Sequence, residues 1–243
     1  MTSTFPLRLP AIMPQLAGIL FALPFSASFG FGQGAKPEQG AAPMPPAITD
    51  QSGLPGVLLI GDSICQGYTP AVRKLLQGQA NVHYGGGGPT AKSLAEYDAL
   101  IGGGKWAVIH FNWGLHDLKH WKDGQMDLSA PQVATVDVYE KNLRELIGRL
   151  QKTGARLVWA STTPVPKGAN GRVAGDEVIY NAAAARVMAD AGIPINDLHA
   201  AAMEKPELQR VENVHFTDEG SAHLGEKVAA AIKEQLAVSE PVQ

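Results

Sequence analysis

The chain has 243 residues, with 20 Lys or Arg and 23 Asp or Glu, so its formal net charge is −3. Because these charges are dispersed and form no basic stripe, the composition argues against nucleic acid as a partner. Cys65 is the only cysteine, which excludes an internal disulfide and a zinc site built on several thiolates. We interpret Cys65 as a small packing residue, with a functional thiol as the alternative.

Residues 1–28 have the pattern of an export signal. Arg8 supplies the positive region, an apolar run extends from Leu16 to Phe25, and Ser26-Ala27-Ser28 forms a small-residue cleavage site. The apolar run is short for a membrane span and contains Pro24, so we predict no stable membrane insertion after signal removal. This predicts a secreted or periplasmic protein; the alternative is a buried N-terminal helix.

The rest of the chain divides into a predicted linker and one predicted domain. Residues 29–55 are rich in Gly, Ala and Pro without periodicity, which predicts a flexible linker. Residues 56–238 have the length of a single domain. In chain order the patterns predict a strand at 57–60, a helix at 70–77, a strand at 81–84, a helix at 90–100, a strand at 106–111, a helix at 134–152, a strand at 156–160, a helix at 176–191, a strand at 193–198 and a helix at 218–236.

This alternation predicts an α/β fold, a three-layer α/β/α sandwich around a five-stranded parallel sheet. In such sheets, ligands bind outside the carboxyl ends of the strands. The residues that follow each predicted strand are therefore the candidates for function.

Two of the strand ends contain glycine at a predicted turn. Gly61-Asp62-Ser63-Ile64 follows the first strand, where a serine on a tight turn can present its hydroxyl to the cleft and its N–H to an oxyanion. The same residues are also good turn formers. The run from Gly85 to Gly88 follows the second strand and exposes N–H donors, although it could serve only as a turn. A phosphate cradle is not favoured, because no Gly-Lys-Ser/Thr follows.

Two further segments carry polar and titratable residues. A polar loop from Asn112 to His120 follows the third strand. Near the C-terminus, Glu212 stands three residues before His215, so it can fold back to hold Nδ1–H while Nε2 takes a proton from a serine. A helix-capping turn is the alternative for this segment, and Asp197 is a rival for the role of acid.

Taken in order, the four segments resemble the motifs of the SGNH (GDSL-like) hydrolase family over about residues 56–236. The motifs correspond to Gly61-Asp62-Ser63-Ile64, Gly88, Gly114-Leu115-His116-Asp117 and Glu212-Asn213-Val214-His215. The resemblance implies a flavodoxin-like fold, no cofactor and no metal. It also implies Ser63, His215 and Glu212 as catalytic residues, and Ser63, Gly88 and His116 as the oxyanion hole.

The sequence departs from the family pattern at two of these positions. His116 stands where the family has an asparagine, and Glu212 where it has an aspartate. A neutral imidazole can still donate one N–H to an oxyanion. Glutamate is about 1.5 Å longer than aspartate, so the backbone would have to retreat to keep the same hydrogen bond.

The resemblance implies a secreted serine esterase that cleaves carboxylic esters by a Ser-His-Glu mechanism. Secretion makes an esterified carbohydrate, such as an acetylated polysaccharide, the preferred substrate. Asn112 and Trp113 are the predicted substrate contacts, with Trp121 as a possible second stacking ring. A short-chain lipid or aryl esterase is one alternative, and a non-catalytic carbohydrate-binding protein with the same fold is another. The sequence does not indicate an oligomeric state.

Overall fold

The computed structural model describes residues 1–2 and 40–238. The export signal predicted for 1–28, apart from its first two residues, lies outside the described residues. The same holds for the 29–39 part of the predicted linker.

Strands and helices alternate along the described chain. The strands are β1 (Gly56–Ile60), β2 (Asn81–Gly86), β3 (Val108–Phe111), β4 (Trp121–Lys122), β5 (Gln125–Met126), β6 (Arg156–Ala160) and β7 (Ile195–Asn196). The helices are α1 (Ser63–Leu75), α2 (Thr90–Ala95), α3 (Tyr97–Ile101), α4 (Val136–Gln151), α5 (Asp176–Ala191), α6 (Leu198–Glu204) and α7 (Asp218–Ala237), with a 3-10 turn at Pro206–Leu208. None of the helices in the described part of the chain is both long and apolar enough to cross a membrane.

Five of the strands form one parallel sheet in the order β2-β1-β3-β6-β7. Helix α1 packs against α7, which also contacts β3 and β6, whereas α4 packs against α2 and α5. This strand order is that of flavodoxin-like sheets, and it changes direction between β1 and β3. The predicted α/β/α fold is therefore confirmed, and the carboxyl ends of β1 and β3 flank the place where such folds bind ligands.

The central strands are buried because both faces of the sheet are covered. All four residues from Val57 to Ile60 are at most 2% exposed, and the residues from Val108 to Phe111 are fully buried. Parallel strands that are covered on both sides have continuous apolar sequences, and this pattern predicts β1. Helix α5 and strand β6 also occupy the predicted ranges, 176–191 and 156–160.

Other predicted boundaries are wrong. Helix α1 begins at Ser63 and not at residue 70, because Asp62 caps it by accepting a hydrogen bond from the backbone N–H of Ile64 at 2.9 Å. The helix predicted at 90–100 is two helices that meet at Glu96, and the last strand is only Ile195–Asn196. The β4–β5 hairpin and α6 have no counterpart among the predicted elements.

Residues 40–55, here named the N-terminal arm, lie against the domain. The side chain of Asn81 accepts a hydrogen bond from the backbone N–H of Gln51 and donates to its carbonyl, at 2.9 and 3.0 Å. Arg73 of α1 donates to the carbonyl of Pro46 at 2.8 Å, and Gln66 donates to the carbonyl of Ala42. Part of the predicted linker is therefore bonded to the domain.

Candidate active site

Ser63 lies at the junction between β1 and α1, at the carboxyl edge of the sheet. The turn before it is tight, since a Cβ on Gly61 would lie 2.6 Å from the Cβ of Cys65. Glycine at 61 therefore allows α1 to start within two residues of the strand end. Because Ser63 is the first residue of the helix, its N–H has no partner within the helix and points away from it.

His215 is in direct hydrogen-bonding contact with this serine. The distance between His215 Nε2 and Ser63 Oγ is 2.8 Å, although 152 positions separate the two residues in the chain. On the other side of the ring, Nδ1 lies 2.7 Å from Oδ1 of Asn213. The imidazole is 3% exposed, so little water competes for these contacts. The structure thus brings together a hydroxyl and a base that can take its proton.

The predicted contact between Glu212 and His215 is wrong, because Asn213 occupies that place beside the ring. Glu212 has a positive φ of 54° and is exposed. Its side chain lies against Gly168, where a Cβ would come within 2.6 Å of Glu212 Cγ. With this backbone the side chain of Glu212 lies beside Gly168, and Asn213 is the residue bonded to Nδ1 of the imidazole.

Asp197, the rival acid, is engaged elsewhere. Its Oδ1 accepts hydrogen bonds from the hydroxyl of Ser161 at 2.7 Å and from the backbone N–H of Ala200 at 3.0 Å. It is the N-cap residue of α6, so its carboxylate has a structural role in that helix.

The glycine-rich loop after β2 packs against the turn that carries Ser63. The backbone N–H of Gly61 donates to the carbonyl of Gly86 at 2.9 Å. A Cβ on Gly87 would lie 2.7 Å from the carbonyl oxygen of Gly61, whereas one on Gly88 would meet only Lys92 at 3.6 Å. The close approach therefore requires glycine at 87, and it places Gly88 next in the chain beside the same turn.

Asp117 joins this loop to the loop after β3. Its fully buried carboxyl accepts hydrogen bonds at Oδ1 from the backbone N–H of Thr90, at 2.9 Å, and from the Thr90 hydroxyl, at 2.6 Å. Burial raises the pKa of Asp117 to about 7. The glycine-rich loop and the third-strand loop are thus held together by a carboxyl that loses its proton only near neutral pH.

His116 precedes this carboxyl and is partly exposed. The ammonium of Lys119 lies 3.3 Å from His116 Nδ1 and 4.4 Å from the centre of the Trp121 ring. An ammonium can only donate, so Nδ1 accepts and a neutral His116 carries its proton on Nε2. In its neutral form His116 is therefore an N–H donor at Nε2.

Of the two predicted substrate contacts, Trp113 has a structural role instead, whereas Asn112 stays a prediction. Trp113 is 1% exposed, and its Nε1 donates to the hydroxyl of Ser93 at 2.7 Å, so the ring has no face for a sugar. The amide of Asn112 donates to the carbonyl of Ala160 at 2.7 Å and thereby ties the end of β3 to the end of β6. The prediction for Trp113 is wrong, because this residue lies in a loop but its side chain is buried in the hydrophobic core.

Cys65 is a packing residue, as interpreted from the sequence. It is 2% exposed, and burial raises the pKa of its thiol to about 12. A thiol that keeps its proton at neutral pH is a poor nucleophile, so Cys65 does not compete with Ser63 for that role.

Ser63 and His215 open onto a cavity of about 500 Å³. It is bounded by the N-terminal arm at Gly40–Pro43, by Ile64, Gly67, Pro70 and Ala71 of α1, and by Arg210, Phe216, Asp218, Ser221 and Ala222 near the start of α7. Sequence reasoning did not assign Asn213, Arg210 or the arm to the site. The position of Asn213 two residues before the histidine was the one available signal.

Several solved structures share this fold. An acetyl xylan esterase, AlAXEase, superposes with a TM-score of 0.61 at 19% identity, over 73% of this chain and 99% of that chain. The lipase/acylhydrolase from Enterococcus faecalis gives 0.61 at 20% identity, over 77% and 100%. A mutant acetyl-xylooligosaccharide esterase from Geobacillus Stearmophilus gives 0.59 at 18% identity, over 78% and 97%. No curated protein matches the sequence significantly.

The sequence also matches a family model, that of the GDSL-like Lipase/Acylhydrolase family, over residues 59–223. The matched range includes Ser63, the glycine-rich loop, Asp117 and His215, and it covers more than half of the chain. Membership implies ester hydrolysis as the general class of activity. The chain belongs to the GDSL-like lipase/acylhydrolase family, the SGNH hydrolases.

Proposed function

We propose that this protein is a serine esterase in which Ser63 is the nucleophile and His215 the general base. The observation that carries the proposal is the 2.8 Å contact between Ser63 Oγ and His215 Nε2 at the carboxyl edge of the sheet. Nucleophilic catalysis by serine needs an adjacent base within this distance. This contact favours an esterase over a purely carbohydrate-binding protein, because binding alone does not require a base beside the hydroxyl.

The reaction proceeds in two balanced halves. His215 takes the proton of Ser63 as Oγ attacks the ester carbonyl, and the intermediate then collapses to an acyl-serine while the protonated imidazole gives its proton to the leaving alcohol. Water next attacks the acyl-serine with His215 again as base, which releases the acid and restores the serine. In both halves the oxyanion is held by the backbone N–H groups of Ser63 and Gly88 and by Nε2–H of His116.

The substrate we propose is a short acyl ester, with an acetylated carbohydrate preferred. Two proteins of the same fold carry names as esterases of acetylated xylan or xylo-oligosaccharides, and the pattern of residues 1–28 supports export to where such polymers occur. An aryl or short lipid ester is the second candidate. It is favoured by the apolar lining of the cavity at Ile64, Pro70 and Phe216.

Replacement of the nucleophile is the decisive test of this proposal. We expect Ser63→Ala to abolish hydrolysis of 4-nitrophenyl acetate and labelling by a fluorophosphonate, since both reactions require Oγ. Acetate release from acetylated xylan, compared with turnover of nitrophenyl esters of increasing chain length, distinguishes the two substrate classes.

Ser221→Ala is the matched control, because this serine lines the same cavity, whereas Nε2 of His215 is bonded to Ser63. It should keep activity and labelling close to the level of the wild-type protein. A Ser63→Ala protein that retained most of its hydrolytic rate would exclude the mechanism. A wild-type protein that neither turns over nor becomes labelled would favour the binding protein instead.

A further inference from the structure

We propose that Asn213 is the positioning residue of His215, so that a neutral amide holds the imidazole where an acid was expected. The expected effect of Asn213 on catalysis rests on the proposed function. Its structural basis is the 2.7 Å contact between Asn213 Oδ1 and His215 Nδ1, on the side of the ring opposite Ser63.

The backbone fixes which end of the amide faces the ring. Oδ1 of Asn213 also accepts the backbone N–H of His215, at 2.9 Å. A backbone N–H can only donate, so a flipped amide would set its NH₂ group against another donor and lose this bond. The orientation with oxygen towards His215 is therefore the one that satisfies the backbone.

The orientation of the amide in turn selects the tautomer of the imidazole. Because Oδ1 can only accept, Nδ1 of His215 must carry a proton to bond with it. In the neutral ring, Nε2 is then the unprotonated nitrogen, and it faces the hydroxyl of Ser63 at 2.8 Å. The amide thus prepares the ring to act as a base towards Ser63, as a carboxylate would.

An amide differs from a carboxylate in one respect that can be measured. It accepts the same hydrogen bond but carries no charge, so it stabilises the imidazolium less. The charged side chains that line the cavity with His215 are Arg210 and Asp218, Asp62 caps α1 beside Ser63, and Glu212 is directed towards Gly168. A carboxylate at position 213 would place a negative charge at Nδ1, where the amide of Asn213 has none.

Three variants test this assignment: Asn213→Asp, Asn213→Ala and, as a matched control at the neighbouring acid, Glu212→Gln. The ring-proton NMR signal of His215, identified by its loss in His215→Gln, is followed as a function of pH in each protein. We expect Asn213→Asp to raise the titration midpoint of His215 by about one pH unit or more. Glu212→Gln should leave the midpoint where it is in the wild-type protein.

The same variants are assayed for hydrolysis of 4-nitrophenyl acetate across pH. We expect Asn213→Ala to lower kcat by about 10²-fold with KM little changed, because the ring is no longer held in position. Asn213→Asp should restore kcat and move the acidic limb of the pH profile upward, whereas Glu212→Gln should match the wild-type profile.

The outcomes separate this inference from the proposed function. A midpoint that falls in Glu212→Gln and does not move in Asn213→Asp overturns the role of Asn213, whatever the activity. Unchanged kcat in a folded Asn213→Ala protein overturns it as well. If no variant and no wild-type protein turns over ester, the proposed function fails, but the NMR titration still decides which side chain holds His215.

Discussion

The imidazole of His116 and the ammonium of Lys119 form a pair, with 3.3 Å between Nδ1 and Nζ. Since the ammonium donates to Nδ1, a neutral imidazole keeps its proton on Nε2. This tautomer supports a role as a hydrogen-bond donor, in which an imidazole replaces the side-chain amide usual in the family.

Replacement of His116 tests this role. We expect His116→Ala to lower kcat by about 10²–10³-fold, because one of three oxyanion donors is lost. His116→Asn restores an N–H donor of similar reach, so its loss should be much smaller. The measurement is kcat for 4-nitrophenyl acetate with Ser63 labelling as a check on folding. Equal losses in the two variants would indicate that His116 acts as a base.

At the scale of residues, the sequence predicts Ser63 and His215 but not the partner of His215. Spacing identifies a residue three positions before the histidine, and Glu212 fits that spacing. Whether its side chain reaches the ring depends on the backbone, and φ at Glu212 is +54°, a conformation that a non-glycine residue adopts only in a particular turn. Tertiary contacts decide that angle, so the pattern alone favoured the wrong side chain.

At the scale of elements, the site is assembled by loops that are fastened to one another. Asp117 after β3 accepts two hydrogen bonds from Thr90 at the start of α2, and the Thr90 hydroxyl in turn accepts one from Asn142 of α4 at 3.0 Å. This network holds the glycine-rich loop against the turn that carries Ser63. A titration of Asp117 therefore acts on stability and on the site together.

The raised pKa of Asp117 predicts a pH dependence of stability. In the folded protein the buried carboxyl keeps its proton up to about pH 7, whereas in the unfolded chain this carboxyl loses its proton near pH 4. Between these values the folded state binds more protons, so this group's contribution to the free energy of unfolding is full below about pH 4 and declines as the pH rises to about 7.

Asp117→Asn removes this titration and isolates its effect. The free energy of unfolding of the wild-type protein, minus that of this variant, should decrease as the pH rises from about 4.5 to about 8. We expect the decrease to be up to about 4 kcal/mol. Urea denaturation of both proteins at both pH values measures this decrease. All other groups titrate in both proteins, so their contributions cancel in the difference. A difference that stays constant with pH would contradict the assignment of a shifted pKa to Asp117.

The sequence predicts elements well where apolar periodicity is strong and less well where capping decides. Helix α5 and strand β6 are placed correctly because their apolar patterns extend over the whole element. Helix α1 starts seven residues earlier than predicted because Pro70 looks like a helix start, yet the cap is Asp62. That error matters for function, since the true start places Ser63 on the helix and not in a loop.

At the scale of the whole molecule, the site lies where a flavodoxin-like sheet changes direction, and the N-terminal arm closes one side of it. Alternation of strands and helices is enough to predict the sheet and its functional edge. The arm is different, because a Gly-, Ala- and Pro-rich sequence shows no periodicity. It is held by single side chains such as Asn81, which is 6% exposed and bonds to Gln51 and Leu54. Such contacts cannot be read from local pattern.

The contribution of the arm can be measured by combining its removal with a substitution of Asn81. In a chain of residues 40–243, Asn81→Ala should lower the free energy of unfolding by about 1–3 kcal/mol, because the backbone N–H and carbonyl of Gln51 lose the side-chain amide to which they are bonded. In a chain of residues 56–243 the partners are absent, and the same substitution should cost less than about 0.5 kcal/mol. Asn142→Ala, remote from the arm, is the control and should cost the same in both chains. Equal costs of Asn81→Ala in the two chains would show that the arm does not bind the domain through this residue.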